Sequence, residues 1–150
     1  MNKCAFPEEI TRLLARHRFG VLATYGGEYP YTSLISLAFP DDFRYLIFPT
    51  LRETRKYENL CHEKRVSVLL DNRSLEKSPE KLYALTILGS ASETDQAMHA
   101  VFKEYFLQRH SHLAEFLALP QTALIQIILK KVILVEELQK IREFDCSPAE

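Results

Sequence analysis

The sequence lacks any run of apolar residues approaching the roughly 20 that a bilayer-spanning helix requires. Its opening segment, MNKCAFPEEITRLL, has acidic residues and helical periodicity where a secretory signal needs an unbroken apolar stretch. These absences argue against a membrane-embedded or secreted protein. We therefore expect a cytoplasmic protein without a membrane partner.

Cysteine is scarce and shows no paired spacing. Cys4, Cys61 and Cys146 lie far apart and are odd in number, which suits a reducing compartment better than a disulfide framework. The sequence predicts plain thiols. It offers no recognisable set of metal ligands either, because Cys61 and His62 are adjacent and would diverge on a helix. No metal site is predicted.

An excess of charge of either sign is also missing. The 19 basic and 20 acidic side chains leave a formal net charge of -1, so the chain has no long-range field that would attract nucleic acid. A barrel that bound nucleic-acid phosphates through Arg52, Arg55 and Lys56 would need several more basic residues along one face. Any anion site must therefore be local, and no nucleic-acid partner is expected.

What is present fits one globular domain over residues 1–150. A chain of this length buries roughly 68 to 70% of its unfolded surface, which is enough for a core of its own. No repeat, low-complexity linker or change of composition divides it. The apolar fraction of 47% is ordinary for such a domain.

Six segments have the alternation or β-branched composition of strands. They are FGVLATY, YPYTSLISLAF, FRYLIFP, RVSVLLD, LYALTILGSASE and TALIQIILKKVILVEEL. The first three, with a Gly-Gly turn between the first two, predict an antiparallel meander. Together the segments predict a mainly β protein with helices, a six-stranded antiparallel barrel that is closed or half-closed. Periodicity alone leaves a sandwich with attached helices as the alternative.

Three helices are predicted at the ends of this sheet, besides the cationic one discussed next. PEEITRLLARH begins at Pro7 and places apolar residues on one face. Thr94 is predicted to cap DQAMHAVFKEYFLQRH, and Ser111 a shorter helix that ends before Pro120.

The segment PTLRETRKYENL predicts a turn and a helix whose start is crowded with cations. Arg52, Arg55 and Lys56 have i, i+3, i+4 spacing, and Thr50 and Thr54 add hydroxyl donors. A helix N-terminus already carries about half a positive charge, so this arrangement is unfavourable without an anion.

Guanidinium and backbone N–H groups match the oxygens of a phosphate monoester, which would convert this repulsion into attraction. The alternative is a solvated network in which Glu53 and Glu58 pair with the cations. The preceding strand favours a bound ligand, because a molecule held by its phosphate at the helix start would lie along the barrel wall.

These residues carry a resemblance to a known family. The resemblance rests on LIFPTLRETRKYENL followed by RVSVLLD, and on GVLAT and GEYPYTSLISLAF before them. Over roughly residues 19–136 the chain resembles the pyridoxamine 5'-phosphate oxidase-like family of FMN-binding split barrels. The resemblance implies a six-stranded split barrel that binds FMN. It also implies a homodimer with the flavin at the subunit interface, where residues 86–90 reach the cofactor of the neighbour.

The resemblance further assigns the cofactor-binding residues. Arg55, Lys56 and Thr54 would hold the FMN phosphate, and Thr50 with Pro49 would lie against the ribityl chain and the ring edge. Residues 33–36 would supply backbone and hydroxyl contacts to the isoalloxazine ring, and Leu34, Ile35 and Phe48 would form an apolar slot for it. The expected cofactor-binding set is Ser33, Leu34, Ile35, Ser36, Pro49, Thr50, Thr54, Arg55 and Lys56.

The implied activity is an oxidoreductase that transfers hydride or electrons between a nicotinamide-type donor and a small substrate that the sequence does not identify. The chain has no tryptophan and ends soon after the last predicted strand, without the arginine-containing segment that holds pyridoxal substrates in the oxidases themselves. No catalytic side chain is predicted, because no nucleophile elbow or pair of carboxylates is evident.

A non-enzymatic flavin- or haem-binding module, or a haem-degrading relative, is the alternative function. Five histidines are present, and HSH at residues 110–112 invites a haem or metal interpretation. Because His110 follows a predicted helix, a structural role at the helix C-terminus is favoured instead.

Overall fold

The chain, as a computed structural model, is described at residues 6–40 and 42–146. Those residues form four α-helices and seven β-strands. The helices are α1 (Glu8–Ala15), α2 (Arg55–His62), α3 (Gln96–Arg109) and α4 (Ala114–Ala118). The strands are β1 (Phe19–Tyr25), β2 (Pro30–Ser36), β3 (Tyr45–Leu51), β4 (Arg65–Asp71), β5 (Tyr83–Glu93), β6 (Thr122–Glu136) and β7 (Lys140–Asp145).

The strands form one antiparallel sheet in the order β2-β1-β4-β5-β6-β3, and β7 pairs with the second half of β6. The sheet curls until Ala38, just beyond β2, meets Ile47 of β3 in an isolated antiparallel bridge. This contact closes one end of a barrel whose other end stays split. The predicted mainly β, antiparallel split barrel with helices is confirmed.

Two details of the predicted sheet are wrong. The first three strands do not form a meander, because β3 pairs with the first half of β6 and touches the β2 side only at the single bridge. A seventh strand is also present. Its sequence, KIREFD, is exposed at almost every position and lacks the alternation of a half-buried strand. It forms because β6, with 15 residues, extends beyond β3 and leaves an edge to be paired.

Strand β5 shifts register against β6 between Leu88 and Gly89. A Cβ atom on Gly89 would lie 2.5 Å from the carbonyl oxygen of Ile128, so only glycine permits this approach of the two backbones. Such an irregularity increases local twist and bends a strand. Gly89 therefore helps the sheet to close.

Two apolar clusters hold the fold together. The larger one fills the barrel with side chains from all of β1 to β6 and from α1, including the fully buried Leu14, Leu22 and Phe48. The smaller one packs α3 and α4 on the outside of β3 and β6 through Phe102 and Phe106. These helices therefore cover one outer face of the sheet.

The helix starts differ in detail from the sequence prediction. Asp95, not Thr94, caps α3, since its Oδ1 accepts a hydrogen bond of 2.9 Å from the backbone N–H of Met98. The Thr94 hydroxyl instead bonds to Nδ1 of His99. Ser111 begins a short 3-10 turn without a side-chain cap bond, and α4 follows from Ala114.

The cysteines are not all thiols. Cys61 is free and exposed, whereas Cys146 is disulfide-bonded, which corrects the expectation at that position. Cys4 lies outside the described residues. Within residues 6–40 and 42–146, no helix combines the length and apolarity needed to cross a membrane.

Candidate functional site

The split in the barrel lies between β2 and β3. Strand β2 is at the end of the sheet and pairs only with β1. The backbone N–H of Leu37 donates to Arg18 on the β1 side at 2.8 Å, whereas the N–H of Ala38 donates to Ile47 on the β3 side. Because successive residues of an antiparallel strand direct their backbone groups to opposite sides, those of Leu34 and Ser36 face the split. This edge can accept and donate hydrogen bonds to a ligand.

The far side of the split is bounded by the start of α2, which a threonine pair fixes in place. The Thr54 hydroxyl caps the helix by accepting from the backbone N–H of Tyr57 at 3.4 Å, and it donates to the Leu51 carbonyl at 2.8 Å. The hydroxyl of Thr50 lies 2.9 Å from it. Thr50 is buried and Thr54 is half-buried, so both hydroxyl groups already serve the turn.

Two cations follow the cap. The guanidinium of Arg55 is exposed and its Cζ lies 5.6 Å from the ring centroid of Tyr31 on β2. Lys56 is half-buried, and burial lowers the pKa of its ammonium group. Among the described residues, neither cation has a carboxylate within ion-pair distance.

The first two backbone N–H groups of α2, those of Arg55 and Lys56, also lack an acceptor in the described part of the chain, whereas those of Tyr57 and Glu58 bond to Thr54. Two positive side chains and two unsatisfied amides therefore share the start of one helix. Donors of this kind favour an anion, which makes the start of α2 a candidate anion site.

Arg52 is not part of this group, contrary to the expected convergence of three cations. It precedes the cap and turns away, where its guanidinium donates to both carboxylate oxygens of Glu93 at 3.1 and 2.9 Å and to the Pro120 carbonyl at 2.9 Å. These bonds lower the pKa of Glu93. The Tyr57 hydroxyl also donates to Glu93, which raises the pKa of Tyr57 to about 12. Arg52 therefore fixes the turn rather than a ligand.

The expected ring-binding residues of β2 lie on both faces of the strand. Leu34 is 73% exposed on the outer face, whereas Ile35 is 3% exposed and points into the barrel, as does the fully buried Phe48. The predicted slot of these three side chains is therefore wrong, because adjacent strand residues face opposite ways. Pro49 is buried in β3. Whether these residues contact a cofactor stays a prediction.

The two serines of β2 also differ. The Ser33 hydroxyl is buried and has no hydrogen-bond partner in the described structure, whereas Ser36 is half-buried on the outer face. A buried hydroxyl without a partner costs free energy. Ser33 shares the inward face of the strand with Ile35, and whether it contacts a cofactor stays a prediction.

The predicted contact of residues 86–90 with a neighbouring subunit remains a prediction. Thr86 and Ser90 are half-buried. Thr86 shares the outer face of the sheet with Leu69, its cross-strand partner.

His110 has the structural role that the sequence favoured, although its partner differs. It ends α3, is 1% exposed, and its Nε2–H donates to the Leu37 carbonyl at 2.8 Å. Its ring stacks on Phe106 at a centroid distance of 4.6 Å. Desolvation lowers the pKa of this imidazole. No group of three or more His, Cys, Asp or Glu side chains in residues 6–40 and 42–146 is placed to hold a metal ion.

A pocket beside Arg55 was not expected from the sequence. It has a volume of about 240 Å³ and lies between α2 and the β1–β2 turn. Its lining residues are Gly26, Glu28, Tyr29, Pro30, Tyr31, Arg55, Glu58 and Asn59. The Asn59 side chain donates to the Thr24 hydroxyl at 3.1 Å, and a Cβ on Gly26 would lie 2.2 Å from Asn59 Oδ1. The GGEYPY segment could have suggested this pocket only if the docking of α2 were known.

The sheet order and the split between β2 and β3 define a split barrel, and the cationic helix start gives it a candidate anion site. The family model described as pyridoxamine 5'-phosphate oxidase matches residues 6–136. The chain belongs to this family, as its sequence predicted. No match was found among curated proteins.

Solved structures show the same fold. A heme-binding protein from Mycobacterium smegmatis is 18% identical, with a TM-score of 0.82, over 92% of this chain and 57% of that one. A protein of unknown function from Agrobacterium tumefaciens str. C58 is 25% identical, with a TM-score of 0.73, over 86% and 57%. A FAD-binding protein from Mesorhizobium loti is 18% identical, with a TM-score of 0.69, over 89% and 96%. The chain thus spans less than two thirds of the length of the Mycobacterium smegmatis and Agrobacterium tumefaciens proteins.

Proposed function

We propose that the protein binds FMN, with the phosphate held at the start of α2, and that it acts as an oxidoreductase. The observation that carries this proposal is the pair of cations, Arg55 and Lys56, which have no carboxylate partner in the described structure and stand beside two unsatisfied backbone N–H groups. A phosphate dianion is the kind of ligand that such donors favour. The membership of the family supports a flavin as the molecule that carries it.

The residues around the split fit such a ligand. The backbone edge at Leu34 and Ser36 offers donors and acceptors to a polar ring edge, and the unpartnered Ser33 hydroxyl lies on the same strand. Leu34 offers an exposed apolar side chain. A bound flavin supplies hydride and electron transfer, while the protein orients it and limits its contact with water. A nicotinamide-type donor and a small substrate would complete the reaction.

We also propose a homodimer with the flavin near the subunit interface. The outer face of β1, β2 and β4 is uncovered and apolar, with Leu34, Phe19 and Leu69 exposed by 73, 54 and 38%. Val21 pairs with Leu34 on one side and with Leu69 on the other, which places the three in one row. A contiguous apolar patch of this kind marks an interaction site.

The first test is replacement of Arg55 and Lys56 together by alanine. Each replacement removes a charge-assisted contact, so FMN affinity should fall by several kcal/mol, about 1.5 to 3 for each contact. Titration of apoprotein with FMN, followed by quenching of flavin fluorescence, measures the change. The matched control is Arg73→Ala with Lys77→Ala, which removes one arginine and one lysine from the exposed loop after β4.

Unchanged FMN affinity in the double variant with intact folding would contradict the proposal. Oxidation of reduced nicotinamide by the FMN-loaded protein tests the activity separately. Bound flavin that no nicotinamide reduces would instead favour storage or sensing.

Haem is the second candidate ligand, because a neighbour of the same fold is a heme-binding protein. Titration with haemin in place of FMN tests it. A Soret band that shifts on binding and persists in the double variant would favour a haem-binding or haem-degrading role over flavin.

A further inference from the structure

The pocket beside Arg55 carries an aromatic surface that the proposed FMN site does not use. Tyr29 is 76% exposed and Tyr31 39%, and both line the pocket with Pro30 between them. Packing in the core does not account for tyrosine side chains that are this exposed. Aromatic side chains that stand exposed beside a cleft are typical platforms for stacking a planar base.

The polar groups of the pocket indicate which planar group fits. Glu28 and Glu58 line it, and neither has an ion-pair partner among the described residues. Carboxylates accept hydrogen bonds and repel phosphate. The pocket therefore suits a ring with N–H donors at its edge, such as the exocyclic amino group of adenine.

The size of the pocket is consistent with this ligand. A cavity of roughly 150 Å³ holds a benzene molecule, and this pocket has about 240 Å³. The volume is therefore large enough for a base with two fused rings, such as adenine.

Arg55 connects this pocket to the anion site. Its guanidinium lines the pocket and lies over Tyr31, whereas Lys56 is outside the pocket. The pocket therefore contains one cation of the helix start together with two carboxylates. A ligand that joins a phosphate to an adenine would meet both environments.

We propose that this pocket binds the adenine of FAD, so that the protein prefers the dinucleotide flavin to FMN. The inference rests on the proposed flavin site at α2 and adds a recognition element for the second half of the cofactor. In FAD the flavin phosphate continues through a second phosphate to adenosine. Arg55 then contacts the diphosphate, Tyr29 stacks on the base, and Glu58 accepts from its amino group.

The experiment compares the dissociation constants of FAD and FMN by isothermal titration of the full-length apoprotein. Wild-type protein should bind FAD at least about tenfold more tightly than FMN, the factor expected from stacking one base. Tyr29→Ala should reduce this ratio about tenfold and leave FMN affinity unchanged. Tyr29→Phe keeps the ring and should keep the ratio.

The possible failures are distinguishable. Equal affinity of wild-type protein for FAD and FMN would overturn the adenine site and leave flavin binding intact. A fall in both affinities with Tyr29→Ala would also overturn it, because the side chain would then act on the flavin half. Binding of neither flavin would overturn the proposed function together with this inference.

Discussion

At the residue scale, a single carboxylate fixes the turn that precedes the anion site. Glu93 stands at the end of β5, and it accepts hydrogen bonds from Arg52 before α2 and from Tyr57 within it. These partners are 41 and 36 residues away in sequence. Glu93 thus joins two elements that the chain does not connect, and it keeps Arg52 from competing for a ligand.

Glu93→Gln should lower the free energy of unfolding at pH 7 by about 1 kcal/mol, because a partly exposed charged bond is lost. The pKa of Glu93 is lowered in the folded state, so its contribution is present above the ordinary value near 4.5 and is lost as the pH falls through the lowered pKa. Urea unfolding at pH 7 and pH 3 should therefore show a larger difference from wild type at pH 7 than at pH 3. Glu53→Gln, an exposed neighbour, is the control, and equal stability of all three proteins at pH 7 would refute the prediction.

At the scale of elements, α3 is joined to β2 by a buried imidazole. His110 ends the helix and bonds to the Leu37 carbonyl just beyond the strand. The bond satisfies a backbone acceptor at the closed end of the barrel, one residue from the bridge between Ala38 and Ile47. His110 therefore serves the packing of a helix against the sheet.

The buried imidazole should make stability depend on pH. Burial lowers the folded-state pKa of His110, so the unfolded chain binds more protons and stability is lost as the pH falls below the ordinary value near 6.5. His110→Gln, which can keep a donor, should flatten the decline in unfolding free energy between pH 8 and pH 5. His17 contributes in the same direction, because burial lowers its pKa as well. An unchanged slope in His110→Gln would count against the assignment.

At the scale of the whole molecule, the sheet has two unlike outer faces. Helices α3 and α4 cover the side of β3 and β6 through Phe102 and Phe106. The side of β1, β2 and β4 presents the row of Leu34, Val21 and Leu69 without a cover within the described chain. A second copy of the protein is the proposed cover.

Leu34→Glu should therefore convert a dimer to a monomer, because it places a charge at the centre of an apolar interface. Light scattering after size-exclusion chromatography should give twice the mass of one chain for wild type and the mass of one chain for the variant. Leu75→Glu changes a leucine that is still more exposed, 88% against 73% for Leu34, on the loop after β4, and should remain dimeric. A monomeric wild-type protein would refute the prediction.

The sequence alone determined the local elements. Alternation and β-branched composition gave the bounds of β1 and β4, and the segment PTLRETRKYENL gave a turn followed by the helix that carries Arg55 and Lys56. These features depend on residues that are close together in sequence, so the residue types in each segment are enough to predict them. The motif around α2 also indicated the family, because it combines several local features in sequence.

Only the tertiary structure decided the long-range contacts. The pairing of β3 with β6, the capture of Arg52 by Glu93 and the pocket of Tyr29 and Tyr31 beside α2 join residues far apart in sequence. The same is true of β7, which forms because β6 leaves an edge unpaired. Such contacts follow from which surfaces meet when the sheet curls, and that depends on the whole chain packing at once rather than on any local pattern.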